Sequence, residues 1–278
     1  MKLKIILSYL LVILTASSFA QKMNVASFNL RMDTKKDTGN LWVDRAPLAS
    51  ALIQFHDFDV FGTQEGFLNQ LEDISNALPQ FDRYGAGRDD GKSKGEHAAI
   101  FFKKDLFKLI DKGDFWLSET PDKPSLGWDA TCCKRICSWV YLEHKQSKKR
   151  FYFFNAHYDH QGVIARNESS NLILKKIKEI AKGKPVILSG DFNGGHNSDW
   201  YLSLANSGVL KDSYKLVQQP YAFSGSFNSF GRALPGKEII DHIFVSKDFD
   251  VNRWGILTDS FNGKFPSDHF PILIEVNL

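Results

Sequence analysis

Val186–Gly195 reads V-I-L-S-G-D-F-N-G-G. Residues suited to a buried strand run into a turn that carries an acid, Asp191, and an amide, Asn193. A strand ending in small residues leaves the next side chains fixed in direction and open above, so a rigid element supports a site at its end. An acid there can take a proton from water, and an amide can donate to a phosphoryl oxygen. Gly, Asp and Asn also favour plain turns for local reasons. Alone, the stretch carries both readings evenly, and the rest of the chain decides between them.

Other strand ends repeat the pattern. Met23–Leu30 alternates Val25, Ser27 and Asn29 against Ala26, Phe28 and Leu30, as a strand does. Asn29 falls near its end. Phe58–Thr63 is a short apolar strand that delivers Gln64 and Glu65. A carboxylate after such a run needs a partner, and a metal ion is a good one. The strand beginning near Phe151 ends in A-H-Y-D-H, which brings His157, Asp159 and His160 together. Glu238–Ser246 sets Asp241 and His242 inside an apolar strand. Pro266–Glu275 sets Asp268 and His269 just before a last one. A hydrogen bond between Asp241 and His269 satisfies both, orients the imidazole and raises its basicity.

Between these lie helices. Asp44–His56 tolerates Pro47 in its first turn and keeps Leu48, Leu52 and Phe55 on one face. Leu68, Leu71, Ile74 and Leu78 repeat at helical spacing until Pro79. Asn167–Lys182 turns Ile173, Ile177 and Ile180 inward, with Gly183 after it. Ala98–Phe102, Ser138–Glu143 and Arg150–Asn155 read as further strands, the last two joined by a basic turn at His144–Lys149. Tyr84–Glu96, Gly-rich and charged, reads as a solvated loop over a cleft. It lacks the order of a nucleotide-phosphate loop. Trp116 and Trp128 bound a Pro-rich stretch and serve either packing or a ligand wall. No serine sits in a G-x-S-x-G elbow, which disfavours a triad hydrolase.

The 278 residues suffice for one large domain or two small ones, without repeats or low-complexity tracts. Lys2 and Lys4, the apolar Ile5–Leu14 and Ser18-Phe19-Ala20 read as a secretory signal cut after Ala20. A mature chain of residues 21–278, without a transmembrane anchor and periplasmic or secreted, is expected. Removal of that segment takes two lysines and no acid, leaving a net charge of about +1 in place of +3. Overall charge therefore gives no support to a strongly nucleic-acid-binding surface. Export permits a disulfide among Cys132, Cys133 and Cys137. Adjacent cysteines bridge only with particular backbone geometry, and a local structural role with one thiol left over is expected.

Acids and amides outnumber thiols at the strand ends, which suits a hard cation such as Mg²⁺ or Mn²⁺ rather than Zn²⁺. A metal, an orientable His and amide donors fit attack of water on a phosphoryl centre. The ordered series S-F-N-L, T-Q-E, N-A-H-Y-D, S-G-D-F-N, I-D-H-I and S-D-H-F-P resembles the endonuclease/exonuclease/phosphatase superfamily across the whole mature chain. N-L-R-M-D, F-W-L-S-E-T-P and G-W-D-A are similar to an exported bacterial subgroup of it.

The resemblance implies an α/β (α+β) four-layer sandwich, two packed mixed β-sheets flanked by helices, with the site at one rim. It implies that Glu65 is the main metal ligand, with Asn29 and Asp268 near the metal. Asp191 positions or deprotonates the attacking water, Asn193 contacts the phosphate and His157 stabilises charge on the phosphoryl oxygens. Asp241 and His269 are the paired acid and imidazole, the base being either Asp191 or His269. Arg166 resembles a phosphate-contacting position, and Glu96 one that orients His157. The expected protein is a monomeric phosphoesterase acting on a diester or a monoester. One alternative is an extracellular nuclease using a basic groove of Arg83, Arg88, Lys92, Lys94 and Lys148–Arg150. Another is a silent binding protein of the same fold.

Overall fold

In a computed structural model, residues 22–232 and 237–278 are described, and the expected signal peptide lies outside them. The chain begins with β1 (Lys22–Asn29), α1 (Trp42–Phe55), β2 (Val60–Gln64) and α2 (Leu68–Ala77). It continues through β3 (Phe81–Tyr84), β4 (Ile100–Lys103), β5 (Phe107–Trp116), β6 (Ile136–His144) and β7 (Arg150–His157). Next come α3 (Val163–Ala181), β8 (Val186–Asp191), α4 (Asp199–Ala205) and the short β9 (Lys211–Asp212). The last strands are β10 (Asp241–Val245), β11 (Asp250–Ile256) and β12 (Ile272–Asn277).

The strands form two six-stranded sheets, ordered β11-β12-β1-β2-β4-β3 and β5-β6-β7-β8-β10-β9. Each sheet is mixed, because β1 runs parallel to β2 and β7 parallel to β8 while the remaining neighbours are antiparallel. The period of two decides the layers. Val25, Val60, Phe153, Ile187, Ile243 and Ile274 point into the space between the sheets. Their strand neighbours Ala26, Phe28 and Phe61 pack outward with Leu52, Ile53, Leu71 and Ile74 of α1 and α2. Phe154, Leu188 and Phe244 pack outward with Ile173, Ile177 and Leu204 of α3 and α4. Helices therefore cover both outer faces, giving the four-layer sandwich expected. Each such fully buried side chain stabilises by roughly 1.5–3 kcal/mol.

The inner faces change character along their length. On β1 they run Val25, Ser27, Asn29, on β7 Phe153, Asn155, His157, and on β8 Ile187, Ser189, Asp191. One end of the interface is thus hydrocarbon and the other polar. At the transition Gln64 Nε2 donates to Ser27 Oγ at 3.2 Å and to Asn155 Oδ1 at 2.7 Å. Asn155 Nδ2 donates to the carbonyls of Thr63 and Ala99. These bonds stitch the sheets together beneath the polar rim, where unpaired groups are costly.

Some elements lack a sequence signal. β5 and β11 are edge strands with charged, exposed positions, so alternation is weak. Helix α3 starts at Val163, four residues before the expected Asn167. Its cap comes from far away, since Asp129 accepts the N–H groups of Ile164 and Ala165 at 3.1 and 2.7 Å. Trp116 is buried and donates its indole N–H to the Arg88 carbonyl, so it packs beneath the 84–96 loop instead of facing a ligand. Cys132 pairs with Cys133, and Cys137 is a buried free thiol.

Candidate active site

The polar rim opens into a cleft of about 500 Å³ lined by Glu65, Glu96, His157, Asp191, Asn193, Asp268 and His269. Inner-face parity brings them there. Asn29 ends β1 and Glu65 follows β2, while His157 and Asp191 end the paired strands β7 and β8 opposite one another. Asp241 starts β10 directly across from Asp191. Being one residue on, His242 points the other way, toward Tyr201 and Phe192, and takes no part in the cleft.

Asn29 joins the two sheets. Its Nδ2 donates to Glu65 Oε1 at 3.1 Å and to Asp191 Oδ2 at 3.0 Å. Asn29 Nδ2 thus bridges Glu65 and Asp191, while its Oδ1 accepts the Arg31 N–H at 2.9 Å. Asp191 Oδ2 lies 3.6 Å from His157 Nε2 and 3.8 Å from His269 Nε2. Its Oδ1 accepts the Asn193 N–H at 2.9 Å, and Asn193 Nδ2 is held by the Tyr158 carbonyl. His269 Nδ1 meets Asp241 Oδ2 at 2.9 Å, the Asp–His pair expected from the sequence. Arg31, Glu65 and Asn193 all have left-handed backbones. Non-glycine residues hold that conformation at a cost, and such strain concentrates at functional sites.

Burial dominates the electrostatics. It pushes Asp191 up to about 7, with the Asp241 charge adding and His269, Asn193 and Asn29 opposing. It also pushes Glu96 up to about 7 against the pull of Arg88, and it raises Asp268. Burial, then the charges of Arg135 and Arg88, hold His157 well below the ordinary histidine value, so its ring is neutral. Burial opposes the charged form of His269 too, but the Asp241 charge and hydrogen bond lift it well above that value.

Glu65, Asp191 and His157 offer ligand atoms within 4.8 Å of one another, as do Asp191, Asp241 and His269. Oxygen donors predominate, and buried carboxylates held partly protonated are what a hard divalent cation would relieve. Glu65 and Asp268 both approach Arg31, at 3.8 and 3.7 Å. This donor set fits a Mg²⁺- or Mn²⁺-type ion.

Two expectations are corrected. Arg166 does not reach the cleft. It is 8% exposed, donates to the Asp159 carbonyl at 3.0 Å and stacks on Trp200 at 4.3 Å. It sits in the first turn of α3, on the face that packs α4. The cations that do line the cleft are Arg31, Arg88 and Arg135, with His160 beside Arg135 at 3.0 Å. Arg135 had no sequence signal, and Arg88 was named only as part of the candidate basic groove, in a loop that reads as solvated. The second correction concerns the basic groove. Arg83 bonds Ser75 of α2, and Lys148–Arg150 lie at the far end of β7 from His157, roughly 23 Å away. Glu96 stands 3.7 Å from His157 Nδ1 and spends its short contact, 2.6 Å, on Arg88.

A sequence model described as the Endonuclease/Exonuclease/phosphatase family matches residues 26–269. The structure of a Bacteroides thetaiotaomicron protein described as mannosyl-6-phosphatase Bt3783 is 48% identical, covering 92% of this chain and 100% of that one, with a TM-score of 0.89. An endonuclease/exonuclease/phosphatase from Bacteroides vulgatus is 37% identical, covering 93% and 99%, with a TM-score of 0.89. A protein of Acanthamoeba polyphaga mimivirus, the uncharacterized protein L388, is 28% identical over 256 residues, 84% of this chain and 91% of its own.

Proposed function

The chain belongs to the endonuclease/exonuclease/phosphatase family, and from that premise we propose that it is an exported, divalent-metal-dependent phosphomonoesterase that releases phosphate from a hexose 6-phosphate unit. The observation that carries this reading is Asp191, flanked at 3.6 and 3.8 Å by two imidazoles of opposite protonation preference in a cleft sized for a small molecule. The description of the 48% identical relative as a mannosyl-6-phosphatase supports the choice of a sugar phosphate. The scattered basic side chains speak against a long nucleic-acid track, since such binding needs many phosphate contacts.

Glu65 and Asp268 would hold the cation, with Asn29 bracing Glu65 against Asp191. When bound, the cation supplies Lewis-acid stabilisation of charge on the phosphoryl oxygens. Asp191 accepts a proton from the attacking water, a task suited to a carboxyl near pH 7. Neutral His157 donates from Nε2 to a non-bridging oxygen. His269, kept protonated by Asp241, donates the proton taken up by the departing sugar oxygen as the P–O bond breaks. Asn193, Arg88 and Arg135 orient the phosphate. The mature chain acts outside the cytoplasm, in agreement with the disulfide between Cys132 and Cys133.

The test is hydrolysis of p-nitrophenyl phosphate, bis-(p-nitrophenyl) phosphate and mannose 6-phosphate with Mg²⁺, with Mn²⁺ and with EDTA, beside Asp191→Asn. Monoester turnover abolished by EDTA, and cut about 10²–10⁴-fold in the variant, is expected. Faster turnover of the diester would redirect the substrate assignment, and equal rates for wild type and variant would sink the site.

A further inference from the structure

The rim of the cleft carries a disulfide between neighbours, Cys132 and Cys133. Covalent cross-links stabilise folds chiefly by closing long loops in the unfolded chain. A link between adjacent residues closes almost none, and Cys132 is exposed, so the bridge is not holding a core. What it does fix is the local backbone just before Arg135. That segment is tied on both sides. Lys134 Nζ donates to the Asp89 carbonyl at 2.9 Å, Arg135 contacts His160 at 3.0 Å and Thr131 donates to Gln161.

Cys133 lines the cleft, and among the described residues the other apolar side chains there are Met32, Phe227 and Ile240. Phe227 is 41% exposed. It forms a bridge with His269, and its ring meets the His269 imidazole edge-on at 5.1 Å. The neighbouring amides of Asn228 and Phe270 are bonded across the same seam at 2.7 and 2.6 Å. A solvent-facing aromatic and a polarisable sulfur pair, both held in place, stand above a floor of acids and imidazoles. Nothing in phosphoryl transfer requires them. They suit the apolar C–H face of a sugar ring whose phosphate reaches the floor.

We propose that the Cys132–Cys133 disulfide, with Phe227 and Ile240, is the wall that receives the ring of the substrate and selects ring-bearing phosphomonoesters over open-chain ones. This rests on the phosphomonoesterase reading above. The bridge acts on recognition of the leaving group, not on the phosphoryl chemistry.

The test compares mannose 6-phosphate with glycerol 3-phosphate, both primary alkyl phosphates and only one with a ring. The oxidised protein, the protein reduced by a phosphine, the double variant Cys132→Ala with Cys133→Ala, and Phe227→Ala are measured with the same metal. The ratio of kcat/KM for the two esters is expected to fall about tenfold on reduction and in each variant, through the KM of mannose 6-phosphate. A ratio unchanged within twofold, or a parallel loss on both esters, overturns the proposal. So does a thiol titration that finds Cys132 and Cys133 free in the oxidised protein. Wild-type protein that hydrolyses neither ester overturns the phosphomonoesterase reading, and this inference with it.

Discussion

Asn29 Nδ2 donates to Asp191 Oδ2 at 3.0 Å across the seam between the two sheets. The same amide donates to Glu65 Oε1 at 3.1 Å. One neutral side chain thus separates two carboxylates that would otherwise face each other, and it fixes the direction in which Asp191 presents its oxygens.

Asn29→Ala removes both donors and leaves the acids unbraced. Loss of a preorganised donor at a reacting centre typically costs about 10²–10³ in kcat. A fall of roughly 100-fold with an unchanged fold is expected for phosphomonoester hydrolysis at saturating metal. Asn29→Asp places a third carboxylate between the two, and is expected to do no better than alanine. A loss of less than threefold in both variants would show that Asn29 does not brace the acids.

The contrast between Arg135 and Arg166 tests the corrected phosphate contacts. Arg135 lines the cleft and Arg166 does not. Hydrogen bonds to charged groups are worth about 1.5–3 kcal/mol, so Arg135→Ala is expected to raise KM for a phosphate ester by about 10–100-fold. Arg166→Ala is expected to leave KM alone and to lower the melting temperature, because it loses the Trp200 stack and the bond to Asp159. Steady-state kinetics and thermal unfolding on both variants decide it, and a KM effect confined to Arg166→Ala would reverse the correction.

These residues also mark how far the sequence could be read. Asn29, His157 and Asp191 were legible because each stands at or just past the end of a strand readable from its own residues, and the strand end assigns it to the rim. Asp241 and His269 were legible as a pair because an acid in an apolar strand needs a partner. Arg135 was not, since it precedes β6 in an irregular segment whose course is set by contacts with residues 89 and 160. Arg166 misled for the related reason that a helix face is chosen by its neighbours, here Trp200. The start of α3 was hidden because its cap, Asp129, lies 35 residues upstream of Ile164. Local chemistry was readable; long-range partners, the Asp241–His269 pair apart, were not.

Gly62 tests the polar stitching beneath the site. A Cβ built there would lie 2.4 Å from both Asn155 Oδ1 and Ser189 Oγ. Those atoms cannot retreat without breaking the bonds from Gln64 and Ser189 to Asn155, at 2.7 and 3.1 Å. Overpacking a closed core costs typically about 1–3 kcal/mol. Gly62→Ala is expected to lower the urea midpoint by an amount in that range, and activity should fall as well because Gln64 directly precedes Glu65. A neutral or stabilising substitution would mean that the seam is looser than these distances imply.

Asp212 gives the pH prediction. Burial alone would raise its carboxyl, but the His196 ring at 3.3 Å, the nearby His242, the Tyr201 hydroxyl and the Tyr214 N–H hold it below the ordinary carboxylate range. Tyr201 donates to Oδ2 at 2.6 Å and Tyr214 N–H to Oδ1 at 3.0 Å. A carboxyl with a depressed folded value contributes stability that is complete above its unfolded pKa, near 4. That contribution disappears as pH falls through the folded value. Asp212→Asn keeps the shape and removes the charge, and is expected to cost about 2 kcal/mol at pH 7. The gap between wild type and variant should stay constant from pH 7 to 5 and shrink below 4. Urea unfolding at pH 7, 5, 4 and 3 measures it, and a gap that persists undiminished at pH 3 would show that shape, not charge, is what Asp212 contributes.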